Sequence, residues 1–195
     1  MRLPFDLPEP LRPRRRGPDW TTLAVGAAAG FAAGLLADPA RRFTIQHGEM
    51  LAGDWVKILE AEHKLVDKMF DVLERTTENQ VLRRRALFKH VSWSLYKHGL
   101  QEEAAVYPAM RQARPQDFDH LSHDHAEIKA FIYDLDRMDA SDSRWLTVLR
   151  GFHELIQRHV REEEDEIFPA FRSSQSTEEA AKLTHRMMYE GFKIA

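Results

Sequence analysis

The chain has 195 residues and a formal net charge of −3, and 30% of its residues are charged while 43% are hydrophobic. This balance is typical of a soluble globular domain with its own core, and it excludes the strongly basic surface of most nucleic-acid-binding proteins. The absence of cysteine excludes disulfides, thiolate metal sites and a cysteine nucleophile, whereas ten histidines prompt a search for metal ligands.

The N-terminal quarter of the chain differs in composition from the remainder. Residues 1–20 hold five of the nine prolines and a run of three arginines, which is typical of a disordered basic arm. Residues 21–37 carry no charge and are rich in alanine and glycine. Three interpretations of this segment stay open: a short membrane helix, a secretory signal peptide, and a soluble helix or spacer.

The membrane interpretation is favoured by glycines that recur every fourth residue, at Gly26, Gly30 and Gly34. They share one helical face, and such a face allows two membrane helices to approach closely. We therefore expect membrane association or self-association through these glycines, in a protein that is otherwise cytoplasmic and tethered to the inner membrane. Residues 38–52 follow as a linker.

Residues 53–175 show helical periodicity and no alternating strand pattern. Four helices are predicted: Asp54 to Glu74, a Thr77–Gln80 capping box to about Arg111, Pro115 to about Met138, and the DASDS turn to about Phe171. A capping box of Ser176 and Glu179 predicts a further short helix in residues 176–195. Because the connections are short, the predicted fold is all-α: an up-down antiparallel four-helix bundle with an N-terminal Ala/Gly-rich helix and a short C-terminal helix.

An internal repeat is the most informative feature of this sequence. "KHGLQEEAAVYPAM" resembles "RHVREEEDEIFPAF", 61 residues later, so that His98 matches His159 and Glu102 matches Glu163. The first and third helices match at an offset of 62, which pairs His63 with His125. All six residues fall on the apolar stripe of their helix, where a core residue is expected.

Inward-facing histidines and carboxylates need partners, because a buried carboxylate is costly unless it is paired or binds a metal. Four histidines and two glutamates provide nitrogen and oxygen ligands suited to Fe, Mn, Zn or Cu, and bridging carboxylates would favour two metal ions. We therefore predict a metal site formed by His63, His98, Glu102, His125, His159 and Glu163. Satisfied core histidines, or a bundle that has lost its metal, are the alternatives.

Neighbouring acidic residues are harder to assign. Glu103 and Glu164 directly follow the two repeated glutamates, and each is either a solvated neighbour or an alternative ligand. Asp67 lies four residues after His63, but its repeat counterpart is Lys129, so it is not predicted to be a ligand. No phosphate-binding loop, cofactor-binding motif or nucleophile motif is present, so no catalytic residue is assigned.

Over about residues 54–172 these motifs resemble the hemerythrin-like, or HHE cation-binding, family. "EHKLVDKMF" resembles the motif of the family's first helix, and "HGLQEEAAVYPA" and "HVREEEDEIFPA" resemble its two His-x-x-x-Glu helices. The resemblance implies a non-haem di-iron centre with two ions per chain in a hemerythrin-like bundle, with Mn or Zn as less favoured metals. It assigns the ligand roles to the same six residues.

The sequence departs from the oxygen-carrying members of that family at two points. Those proteins have a second histidine one turn before the one matched by His125, where this chain has Leu121. Their last carboxylate lies five residues after its histidine, which corresponds to Glu164 and not to Glu163. Reversible oxygen carriage is therefore not assumed.

Three functions follow as hypotheses. The first, which we favour, is a non-catalytic metal-binding protein that binds or senses O2, NO or iron. The second is a di-iron enzyme that reduces peroxide or nitric oxide at an open metal position. The third is a structural helical module tethered to a membrane.

Overall fold

The computed structural model describes residues 54–113 and 119–194, and no strand occurs in this part of the chain. The α-helices are α1 (Trp55–Glu74), α2 (Val81–Gln101), α3 (Tyr107–Ala113), α4 (Asp119–Arg137), α5 (Trp145–Glu162), α6 (Phe168–Ser173) and α7 (Thr177–Phe192). Two π-helical segments, Glu102–Val106 and Glu163–Ile167, join α2 to α3 and α5 to α6.

Several predicted features lie outside the described residues. These are the basic arm, the apolar segment with its three glycines, the linker, and Pro115 as the start of the third helix. Membrane association of the apolar segment therefore stays a prediction. Among residues 54–113 and 119–194, no helix combines the length and the apolar character needed to cross a membrane.

The helices form the predicted all-α bundle. α1 packs against α2 and α5, and α4 packs against α5 and α2, so the four long helices close a ring around a shared core. Connections of a few residues, 75–80 and 138–144, make the helices of each hairpin antiparallel. α7 packs outside this ring, against α1, α2 and the π-helical segment that follows α2.

A polar layer divides the core of the bundle in two. On α1, Leu59 belongs to one apolar cluster and Val66 to the other, and His63 lies between them. On α4 the same order is Leu121, His125 and Ile128. The apolar stripes of these two helices are thus interrupted at one level, which places His63 and His125 in a single polar layer of the core.

The two π-helical segments begin directly at the repeated glutamates. The backbone N–H of Tyr107 donates to the carbonyl of Glu102, and that of Phe168 donates to the carbonyl of Glu163. Pro108 and Pro169 come next, and proline has no N–H for the carbonyl four residues earlier, with which its ring also clashes. A local widening to five-residue hydrogen bonds removes this conflict and rotates the glutamates relative to an uninterrupted α-helix.

The capping predictions had different outcomes. Ser176 Oγ accepts from the Glu179 N–H at 3.2 Å and Glu179 accepts from the Ser176 N–H at 2.8 Å, so the capping box of α7 is confirmed. The Thr77–Gln80 box was wrong, because α2 begins only at Val81 and Gln80 is its N-cap residue. Gln80 does accept from the Thr77 N–H at 3.2 Å, within a tight turn that delays the helix.

Candidate metal centre

The four repeat-matched histidines point their Nε2 atoms into the polar layer from four different helices. Nε2 of His63 lies 2.9 Å from Nε2 of His98, and Nε2 of His125 lies 3.3 Å from Nε2 of His159. All four histidine residues are at least 94% buried. The histidines therefore form two facing pairs, one formed by α1 with α2 and one formed by α4 with α5.

Two fully buried glutamates lie between these pairs. Glu102 places Oε1 3.2 Å from Nε2 of His98 and Oε2 3.2 Å from Nε2 of His125, so its carboxylate spans both pairs. Oε2 of Glu163 lies 3.4 Å from Nε2 of His63 and 3.5 Å from Nε2 of His159. Two overlapping groups result, each with ligand atoms within 4.8 Å of one another: His63, His98, Glu102 and Glu163, and Glu102, His125, His159 and Glu163.

The donor set fits a pair of divalent cations. Oε1 of Glu102 and Oε2 of Glu163 are buried and accept no hydrogen bond from the described residues. A buried carboxylate oxygen without a partner is strongly destabilising, and a cation between the imidazoles and carboxylates would remove that cost. Nitrogen and oxygen donors of this kind suit iron, manganese or zinc.

The negative charges of Glu102 and Glu163 repel each other. Burial, and next the charge of Glu102, raises the pKa of the Glu163 carboxyl to about 7. Burial acts in the same direction on Glu102, but the imidazoles of His98 and His125 outweigh it and hold its pKa well below the usual range. Two carboxylates this close ionise together only with cationic compensation, which a bound metal or the protonated imidazoles of His98 and His125 can provide, since burial is outweighed by the glutamates, which raise the pKa of both histidines.

Each histidine also has a carboxylate at its outer nitrogen. Nδ1 of His63 lies 2.9 Å from Glu164, and Nδ1 of His125 lies 2.8 Å from Glu103. Glu103 and Glu164 are therefore placed behind the opposite hairpin's histidine and do not belong to either ligand group. A carboxylate at this nitrogen fixes the tautomer that leaves Nε2 free to bind a metal.

The other two histidines also have a carboxylate near Nδ1 that was not assigned from the sequence, and only the one at His98 forms a hydrogen bond. Nδ1 of His98 lies 2.9 Å from Glu62, and Nδ1 of His159 lies 3.4 Å from Asp124. The available signal was the repeat itself, since an acidic residue directly precedes both His63 and His125.

Tyr107 is a further residue of the site that the sequence analysis did not single out. Its hydroxyl donates to Glu163 at 2.6 Å and lies 3.1 Å from Nε2 of His125. Burial and the two glutamate charges raise the pKa of this phenol well above its usual value, so it keeps its proton. Its counterpart 61 residues later is Phe168, which stacks on His63 and has no hydroxyl.

A small cavity of about 30 Å³ adjoins the histidines. His63, His98, His125 and His159 line one side of it. Apolar side chains form most of the rest: Val66, Leu95, Ile128, Ile132, Ile156 and Val160. The cavity lies on the side of the apolar cluster that contains Val66 and Ile128, away from the two π-helical segments.

A family model for the hemerythrin HHE cation binding domain matches residues 54–171, more than half of the chain. This chain belongs to the hemerythrin family. Together with the two His/Glu groups, this makes it a metal-binding hemerythrin-like protein, and hemerythrin domains typically bind iron.

Among its relatives is an uncharacterized hemerythrin-like protein of Schizosaccharomyces pombe, 28% identical over 95 residues, which are 47% of this chain and 47% of that protein. A Nostoc protein named DNA nickase is 24% identical over 123 residues, 63% of this chain and 34% of that protein. The hemerythrin-like chain thus spans less than half the length of these curated relatives.

A solved structure supports the hemerythrin fold. The crystal structure of a hemerythrin HHE cation binding domain-containing protein from Mycobacterium kansasii matches this one with a TM-score of 0.64 at 20% sequence identity. The match covers 73% of this chain and 87% of that one.

Proposed function

We propose that this hemerythrin-like chain binds two iron ions and uses them to bind or sense a small uncharged molecule such as O2 or NO, or iron supply itself. The observation that carries the proposal is the small apolar cavity lined by all four histidines of the centre. The six proposed ligands are His63, His98, Glu102, His125, His159 and Glu163.

The size and lining of the cavity favour a diatomic ligand. Its volume of about 30 Å³ exceeds the roughly 10–15 Å³ that a single water molecule needs, so it has room for one or two very small molecules. Apart from the histidines, the lining is mostly apolar, with Tyr96 and Lys129 as its other polar side chains, so it offers a strongly hydrated ligand few hydrogen bonds in exchange for those to water. Bound iron would supply reversible electron exchange with a ligand held in this space.

Residues of the chain would bind the metal, orient the imidazoles and exclude water. Glu102 and Glu163 would help to hold the metal at both positions, since each belongs to both ligand groups, and the outer carboxylates, including Glu103 and Glu164, would hold the imidazoles in the correct tautomer. The apolar residues of the cavity would exclude bulk water. Manganese or zinc on the same donors is the main alternative to iron.

An enzymatic function is the second candidate, and Tyr107 is the observation that favours it. Reduction of peroxide or nitric oxide consumes protons, and the Tyr107 hydroxyl is a buried proton donor hydrogen-bonded to Glu163. A donor at this position would supply a proton within the water-excluded layer. A purely binding or sensing role does not require it.

Rapid mixing of the reconstituted protein with small ligands tests both candidates. Metal-free protein is loaded anaerobically with Fe²⁺ and mixed with O2, NO or H2O2 in a stopped-flow spectrometer. Stoichiometric adducts that reverse on ligand removal support binding or sensing, whereas repeated turnover supports the enzyme. The binding proposal fails if none of the ligands changes the spectrum of a protein that carries iron.

A matched pair of substitutions tests the role of the cavity. Val66 lines the cavity, whereas Val91 lies in the same apolar cluster but does not. Val66→Phe should retain iron and weaken or slow NO binding by at least about tenfold, since the added ring occupies the ligand space. Val91→Phe has a comparable overpacking cost of about 1–3 kcal/mol and should leave NO binding unchanged in folded protein.

A further inference from the structure

The two halves of the centre are built on one plan but are supported unequally. Site 1 is defined by His63 and His98, site 2 by His125 and His159, and both share Glu102 and Glu163. The repeat relates each supporting residue of site 1 to one of site 2, so the two sites are compared position by position.

The support of site 1 is tight. His98 Nδ1 lies 2.9 Å from Oε2 of Glu62, a carboxylate whose side chain is only 16% exposed. The other Glu62 oxygen accepts from Lys97 Nζ at 2.5 Å. The Gln101 amide also lies against Glu62, and the amide orientation that suits this carboxylate turns its nitrogen towards both oxygens, at 3.1 and 3.2 Å. Lys97 and Gln101 therefore hold the carboxylate of Glu62 in place, and this carboxylate in turn orients the ring of His98.

The equivalent support of site 2 is loose. Asp124 stands where the repeat would put the counterpart of Glu62, and its side chain is one methylene shorter. Its carboxylate stays 3.4 Å from His159 Nδ1 without hydrogen-bond geometry, so this buried nitrogen has no hydrogen-bond partner. Arg158, the counterpart of Lys97, is 59% exposed and no closer than 3.7 Å to Asp124.

The counterpart of Gln101 does not compensate. Glu162 replaces the amide and pairs at 2.8 Å with His120, on the outer surface of α4. The Tyr107 hydroxyl also lies 3.1 Å from Nε2 of His125, a proposed ligand atom of site 2, whereas Phe168 offers His63 no such competitor. These differences favour site 1. The remaining outer carboxylates do not, because Glu164 lies 2.9 Å from Nδ1 of His63 while Glu103, which also accepts from Lys129, lies 2.8 Å from Nδ1 of His125.

We propose that the two metal positions are unequal: site 1 binds its ion first and tightly, and site 2, at His125 and His159, holds an exchangeable ion. This inference rests on the proposed two-metal centre. Partners behind metal-binding histidines typically change affinity about 10–100-fold, which sets the expected separation between the two steps. The chain would hold one ion when metal is scarce and two when it is abundant, so occupancy of site 2 would report metal supply.

Stepwise metal titration of the full-length chain tests this inference. Metal-free protein is titrated anaerobically with Fe²⁺ in competition with a chromophoric chelator, and binding steps are fitted to the released chelator signal. The wild type should bind two ions in steps that differ at least about tenfold in Kd. A single step that takes up two ions of equal affinity overturns the inference but leaves the two-iron centre standing, whereas no Fe²⁺ uptake contradicts both.

Exchange of the two supporting acids is the decisive comparison. Asp124→Glu restores the side-chain length found at site 1, so it should tighten the second step about tenfold and leave the first unchanged. The reverse substitution, Glu62→Asp, should weaken the first step. Circular dichroism establishes that both variants fold, and an Asp124→Glu variant with both steps unaltered contradicts the assignment.

Removal of one histidine from each site assigns the steps. His159→Ala should keep one tightly bound ion and lose the weak step. His98→Ala should lose the tight step. If His159→Ala instead abolishes the tight step, the order of the two sites is reversed and the inference is wrong.

Discussion

The carboxylate of Glu103 lies 2.8 Å from Nδ1 of His125, on the neighbouring helix α4. The residue directly before it, Glu102, faces the opposite way and spans the inner nitrogens of His98 and His125. Two consecutive glutamates thus have different tasks, and the same division recurs 61 residues later at Glu163 and Glu164.

This division predicts different consequences of removing each carboxylate. Glu102→Ala should abolish stable binding at both metal positions, because Glu102 belongs to both ligand groups. Glu103→Ala should weaken metal binding only about 10–100-fold, because His125 loses its orienting partner but keeps Nε2. Metal content after dialysis against a chelator of known affinity measures both effects. Glu166→Ala, an exposed residue of the same acidic run as Glu163, is the control and should have no effect.

The Tyr107 hydroxyl predicts a separable effect on chemistry. Tyr107→Phe removes the hydrogen bond to Glu163 and gives this position the residue that its counterpart, Phe168, already has. Iron content should be retained, and stability should fall by about 0.5–1.5 kcal/mol. Under the enzymatic alternative, turnover of H2O2 or NO in stopped-flow assays should fall at least tenfold. Unchanged turnover would exclude Tyr107 as the proton donor.

α7 lies outside residues 54–171, which the family model matches, but its Gly191 lies against Gln101, a neighbour of Glu62 at site 1. A Cβ atom on Gly191 would lie 2.8 Å from the amide of Gln101, which is fully buried and faces Glu62. Gly191→Ala should therefore destabilise the fold by about 1–3 kcal/mol, measured by denaturant unfolding. It should also weaken the first metal-binding step.

Gly151 provides the matched control on α5. A Cβ atom there meets nothing within 4 Å. Gly151→Ala should be neutral or stabilising by up to about 1 kcal/mol, because alanine favours the helix. Equal destabilisation by both substitutions would show that the Gly191–Gln101 contact has no special role.

A buried arginine ties together the two connections at the far end of the bundle. Arg84 donates to Thr76 Oγ1 at 3.0 Å and to the carbonyl oxygen of Ala140, and it lies 4.8 Å from the ring of Trp145. Arg84→Met should leave these acceptors without their donor and lower the free energy of unfolding by about 2–4 kcal/mol. Arg83→Met, at an exposed position, should change it by less than about 0.5 kcal/mol. Urea titration of both variants measures these changes in the free energy of unfolding.

Metal removal should destabilise the whole bundle. The polar layer places two buried carboxylates between the two apolar clusters, and a cation is the compensation that fits them. An ion present at 100 times its Kd stabilises the native state by about 2.7 kcal/mol. Anaerobic chelation should therefore lower Tm, and Fe²⁺ should restore it, as followed by circular dichroism. A Tm that is the same with and without metal would contradict the assignment of the polar layer as a metal site.

The bundle and the inward-facing residues were predictable because both follow from periodicity. His63 and His125 interrupt otherwise apolar stripes at matching positions, and the helices then place them at one level. The fold was accordingly predicted from local spacing alone. The start of α2 was not, because a turn at Thr77–Gln80 competes with the helix for the same residues.

The roles of the outer residues could not be predicted from helical spacing. Helical spacing placed Glu102 on the inward-facing stripe but left the role of Glu103 open, and the position of Glu103 depends on the π-helical segment that starts at Glu102 and on the packing of α4. Glu62 and Asp124 act on histidines of other helices, so their partners depend on packing between helices. Tyr107 occupies an ordinary apolar position in the sequence, and only its contacts distinguish it from Phe168.

Six buried side chains are proposed to hold a pair of iron ions in one chain. Metal analysis with Mössbauer spectroscopy of ⁵⁷Fe-loaded full-length protein tests it most directly, with His98→Ala as the comparison. We expect about two irons per wild-type chain with the signature of a coupled pair, and loss of that signature in the variant. No iron uptake under anaerobic loading, or the same coupled pair in His98→Ala, would contradict it.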